Sequence, residues 1–102
     1  VSKRLEFLQK MTSAPNADPF AWYGLAMEFR SLGRLEECLR TFETLRQRDP
    51  GYVAMYLMAA QVLSELQRKD EARSWAEEGI QQGRRKGDTH AIGELESLLA
   101  GL

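Results

Sequence analysis

The sequence predicts an all-α chain of about six helices folded as antiparallel hairpins, and three observations carry that prediction. Apolar residues recur every three or four positions through most of the chain, the period of a helix with one buried face. Part of the pattern returns after 34 residues, so that Trp22 is matched by Tyr56, Ala26 by Ala60, Phe29 by Leu63 and Cys38 by Ala72. Glycines, prolines and polar turn formers punctuate the periodic stretches, and no strand is evident.

The first helix is predicted over Ser2 to Met11, where Leu5, Leu8 and Met11 form a stripe that Phe7 widens. At about three turns it is marginal unless it packs on a neighbour. The run from Thr12 to Asp18, with Pro15, stops it. Asp18 then offers a capping carboxylate, and Pro19 at the first helical position loses no hydrogen bond. Trp22, Leu25, Ala26 and Phe29 fall on one face of the helix that follows, two large groups around a small one, so a partner helix can approach at Ala26. Gly33 suits a left-handed turn. Leu35, Cys38, Leu39, Phe42 and Leu45 define the return helix, which closes at Asp49-Pro50.

The second copy is looser. Gly51 to Leu66 reads as its first helix, Gln67 stands where Gly33 stands, Ala59 replaces Leu25, and Trp75-Ala76 takes the place of Thr41-Phe42. Its second helix is expected from about Lys69 past Ile80 and Gly83 to Lys86, with Gly87 as the stop and Arg84, Arg85 and Lys86 set favourably against the helix dipole. Asp88 or Thr89 caps a last helix striped by Ile92, Leu95, Leu98, Leu99 and Leu102.

These residues resemble the tetratricopeptide repeat, a pattern of about 34 residues running roughly W-x2-L-G-x2-Y, a small residue, an aromatic and a closing proline. Here it is carried by Trp22, Leu25, Ala26, Phe29, Cys38, Phe42 and Pro50. The resemblance implies a short right-handed solenoid of stacked hairpins. One domain over residues 1–102 is expected, with a flanking helix at 2–12, repeats at 19–50 and 51–86, and a capping helix at 88–100.

Composition narrows the function. Charged residues make up 28% of the 102 residues and the formal net charge is −1, which argues against capture of nucleic acid. No apolar run approaches the roughly 20 residues of a membrane helix, and no leader with a cleavage site opens the chain, so a cytoplasmic protein is expected. The chain opens at Val1 rather than Met, which leaves open whether it is a fragment. Its single cysteine, Cys38, stands where a small core residue is wanted. Its single histidine, His90, has no partner at metal-ligand spacing, and the pairs Glu36-Glu37, Glu77-Glu78 and Glu94 with Glu96 read as solvated surface. A non-catalytic chain without metal or cofactor is therefore expected.

Binding remains. Opposite the packing stripe, the first helix of repeat one presents Phe20, Tyr23, Met27, Arg30 and Ser31, and that of repeat two presents Ala54, Leu57, Gln61, Ser64 and Glu65 with Met58 beside them. The resemblance implies that these positions line a concave groove. Phe20, Tyr23, Met27, Arg30, Leu57, Met58 and Gln61 are the candidate protein-binding residues. The apolar members suit a partner segment or peptide, a second copy of the chain in a homodimer, or a flanking helix that makes them core. Repeats of this family that grip a C-terminal carboxylate use Lys, Asn and Arg where Tyr23, Met27 and Met58 stand here, so that activity is not implied.

Overall fold

The structure is a computed structural model that describes residues 2–102. Among the described residues there are six helices and no strand: α1 Lys3–Thr12, α2 Pro19–Ser31, α3 Leu35–Arg48, α4 Val53–Glu65, α5 Lys69–Lys86 and α6 Thr89–Gly101. The all-α fold and the number of helices agree with the sequence reading. The chain divides into two compact units, one up to Asp49 and one from Pro50 onward.

In the first unit α2 packs on both α1 and α3. The helix starts follow capping chemistry. The Ser2 hydroxyl accepts from the Leu5 amide at 3.1 Å, and the Asp18 carboxylate accepts from the Phe20 amide at 2.8 Å ahead of Pro19. Helix α1 runs one residue further than Met11 because the Thr12 hydroxyl turns back to the Leu8 carbonyl at 2.9 Å, which lets a polar side chain be buried there. The core of the α2–α3 hairpin is Leu25, Ala26 and Phe29 against Cys38, Leu39, Phe42 and Leu45, with Ala26, Cys38, Phe42 and Leu45 fully enclosed. Cys38 is thus the small buried residue the pattern asked for.

In the second unit α5 packs on α4 and α6, and α6 also touches α4. Trp75 turns inward, its ring centroid 5.8 Å from that of Tyr56 at 52°. The aromatic that stands at Phe42 in the first hairpin has moved one residue earlier in the second, and Ala76 leaves room for it. Helix α5 continues through Gly83 and ends at Gly87, which is left-handed at φ 67°. Of the last stripe only Leu95 is fully buried, while Ile92, Leu98, Leu99 and Leu102 are half-buried. The outer side of α6, with Gly93, Glu96, Ser97 and Ala100, is exposed.

Two helix-to-helix turns are copies at the period of 34. At the first, the Gly33 amide donates to the Arg30 carbonyl and the Arg34 amide to that of Phe29; at the second, Gln67 donates to Ser64 and Arg68 to Leu63. The turn needs a left-handed residue, and Gln67 adopts φ 61° where Gly33 has 74°. A side chain in that region costs about 1–2 kcal/mol.

Close approach in the second unit rests on Gly79. A Cβ there would lie 2.5 Å from the Tyr56 Cβ and 3.0 Å from Leu95 Cδ1, whereas one at Gly93 would meet nothing within 4 Å.

Replacing Gln67→Gly is expected to stabilise the chain by about 0.5–1 kcal/mol, read as a raised urea midpoint with unchanged slope. For Gly79→Ala the clash costs about 1–3 kcal/mol and outweighs the helix-propensity gain of about 1 kcal/mol, so the midpoint falls. Gly93→Ala, with the same propensity gain and no clash, raises it.

Candidate interaction site

In the first unit α1 and α2 run side by side with a groove of ≈ 460 Å³ between them. Its floor is made where α2 has no side chain, since a Cβ on Gly24 would stand 3.3 Å from Leu8 Cδ2. One wall is Phe7 and Met11 of α1 and the other is Phe20, Tyr23 and Met27 of α2. Phe7 is 62% exposed, Met11 42% and Phe20 69%, so three large apolar side chains are left to water along one short groove. At one end the Arg4 guanidinium reaches the Glu28 carboxylate, Nε to Oε1 at 3.2 Å, and the Ser2 hydroxyl donates to the same carboxylate at 2.9 Å.

Tyr23 belongs partly to the core. Its ring lies 6.2 Å from that of Phe42 on α3, and burial raises its pKa above the ordinary tyrosine value, with Arg30 pulling the other way. Arg30 itself is half-buried on the last turn of α2 and does not line the groove. The α2 residues Phe20, Tyr23 and Met27 therefore come together, joined by Phe7 and Met11.

Leu57, Met58 and Gln61 are half-buried on the side of α4 that α6 borders. Leu57 and Gln61 line a shallow cleft of ≈ 400 Å³ with Glu94, Ser97 and Leu98. Leu57 and Met58 line another of ≈ 260 Å³, shared with His90 and Ala91. His90 Nε2 lies 3.0 Å from Glu94 Oε1, and both side chains are largely exposed.

Phe7 and Met11 as groove wall were not identified from the sequence, which placed them in the packing stripe of α1. The signal was the spacing of Arg4, Phe7, Leu8 and Met11, which define a second face beside that of Leu5. A paired charge motif was missed as well. Arg34 and Arg68 each open a helix and grip the glutamate three residues on, Arg34 to Glu37 at 2.6 and 2.7 Å and Arg68 to Glu71 at 2.8 and 2.8 Å. The hydrogen bonds from arginine hold both carboxyls below the usual glutamate range. Sequence alone carries the clue, R-x2-E recurring after 34 residues.

Two tetratricopeptide repeat family models match the chain, one over residues 19–62 and the other over residues 53–82. The crystal structure of a tetratricopeptide repeat domain protein from Salinibacter ruber is 31% identical, covers 82% of this chain and 93% of its own, and superposes with a TM-score of 0.77. The chain belongs to the tetratricopeptide repeat family. A solution structure of a tetratricopeptide repeat domain protein from the same organism, also 31% identical, covers 82% of this chain and 85% of its own with a TM-score of 0.78. A Bordetella parapertussis protein, 18% identical over 98% of this chain and 87% of its own, shares the fold at a TM-score of 0.82. No curated protein matches. Among the described residues no helix of this tetratricopeptide repeat chain is long and apolar enough to cross a membrane, and no group of three or more His, Cys, Asp and Glu is placed to hold a metal ion.

The raised pKa of Tyr23 sets a pH dependence. The unfolded phenol ionises near pH 10 and the folded one later, so the stabilisation is intact below pH 10 and is lost as pH rises through the folded value. Urea midpoints measured from about pH 9 to 11 are expected to fall more steeply for the natural chain than for Tyr23→Phe.

Proposed function

We propose that this chain is a protein-interaction scaffold that holds an apolar segment of a partner against the open side of its repeat-opening helices, α2 and α4. Tetratricopeptide repeats in general mediate protein–protein contact, and the family is typically non-catalytic. The observation that carries the reading is the exposure of Phe7, Met11 and Phe20 along one groove. Large apolar side chains left open as a contiguous patch mark a contact surface. Met11 and Met27 add unbranched side chains that adjust to the shape of what they meet. Leu57, Met58 and Gln61 extend the reading to α4, and Arg30 offers a cation to an acidic group of the partner. A cytoplasmic setting fits a chain with one buried thiol, and a homodimer through the same face is the competing use of the patch.

The reading is tested with Phe20→Glu, chosen because Phe20 is mostly exposed and its loss spares the core. The variant is expected to keep its helical circular dichroism and lose capture of partner proteins that the natural chain retains from a lysate. Capture that survives Phe20→Glu unchanged defeats the proposal for α2. A natural chain whose sedimentation mass doubles with concentration, and reverts in the variant, assigns the patch to self-association instead.

A further inference from the structure

We infer that the α1–α2 groove is the seat of an amphipathic α-helix of the same type as α2 and α4, supplied by the binding partner, which pairs with α1 as those helices pair with α3 and α5. The inference rests on the interaction reading above and names the form of the partner segment.

The period of 34 supplies the reason. Carried forward once, Leu8 of α1 falls on Phe42 of α3, and carried forward twice, Phe7 and Met11 fall on Trp75 and Gly79 of α5. In the two complete hairpins these positions face the helix before them. Phe42 stacks near Tyr23 of α2, Trp75 packs on Tyr56 of α4, and Gly79 admits the Tyr56 Cβ. Phe42, Trp75 and Gly79 are accordingly buried, whereas Phe7 is 62% and Met11 42% exposed. Helix α1 is thus built as the second helix of a hairpin, and among the described residues no helix precedes it. The groove is as long as α1, about 15 Å, which a helix of roughly three turns fills.

Two details shape the occupant. Arg4 stands where the complete hairpins have the small residues Cys38 and Ala72, but its guanidinium is drawn toward Glu28 at 3.2 Å, which keeps it off the floor at Leu8. Lys3 and Lys10 flank Phe7 on the outer lip of α1, opposed on that helix by Glu6 alone, so a helix with acidic outer residues is favoured over a basic one.

The probe is a dye-labelled peptide of residues 16–32, which contains the α2 stripe and carries Asp18 and Glu28 against Arg30. It is titrated with the intact chain and followed by anisotropy, while sedimentation equilibrium reports the mass of the chain alone. Saturable binding to a monomeric chain is expected, weakened by about tenfold or more in Phe7→Glu and in Met11→Glu and abolished when the peptide carries Leu25→Glu and Phe29→Glu. Phe7 and Met11 are exposed, so both chain variants are expected to keep their helicity. No binding up to the solubility limit overturns the inference. So does binding indifferent to Phe7→Glu and Met11→Glu, which means the peptide has displaced the resident α2. A chain dimer that Phe7→Glu dissociates overturns it too, in favour of a second copy as occupant. If the peptide fails while Phe20→Glu still abolishes partner capture, the helical seat alone falls; if capture is also indifferent to Phe20→Glu, the interaction reading falls with it.

Discussion

The structure depends on how closely two helix backbones can approach. A hairpin of two short helices has little area to bury, and what it gains comes from side chains interlocking at van der Waals contact rather than from length. In the second unit the approach is set at Gly79, where the Tyr56 Cβ occupies the space a methyl group would need. In the first unit Ala26 and Cys38 are the small, fully enclosed residues on the facing helices. Around these points the large groups arrange themselves: Phe42 beside Tyr23 in one hairpin, Trp75 beside Tyr56 in the other. The aromatic partner changes position between copies, but each hairpin keeps one tilted aromatic contact between its two helices.

The same period governs the turns. Gly33 and Gln67 hold the same left-handed geometry with the same pair of amide-to-carbonyl bonds, and the arginine that follows each one grips a glutamate in the first turn of the next helix. Those glutamates also lie where the helix dipole favours negative charge. Neither Arg34 nor Arg68 caps its helix through its own side chain. The fork to Glu37 or Glu71 stands where a serine or aspartate would otherwise be, and it recurs although the turn residue before it differs.

Much of the fold was legible because its determinants are local. Helical spacing, Asp18-Pro19, Gly33, Gly87 and the return of the pattern after 34 residues are properties of short stretches, and they placed all six helices to within a few residues. The inward turn of Trp75 was not legible, since it depends on the volume freed by Ala76 on the same helix and on Tyr56 across from it. The walls of the groove were legible only by half. Phe20, Tyr23 and Met27 could be read from the wheel of α2, but Phe7 and Met11 look like core until the helix that would cover them is sought. A stripe with two faces, as on α1, has the same spacing whether its second face is packed or open.

The two tryptophans are distributed one to each unit, Trp22 before Asp49 and Trp75 after Pro50. Their surroundings differ. The Arg48 guanidinium sits 4.9 Å from the Trp22 ring centroid, while Trp75 lies inside a core beside a tyrosine 5.8 Å away. The chain therefore carries two native optical reporters, one beside a cation and one within energy-transfer distance of a phenol. With either indole replaced by phenylalanine, the light emitted by the other follows a single half of the molecule, so whether the halves melt together or in sequence can be watched without attaching a foreign dye.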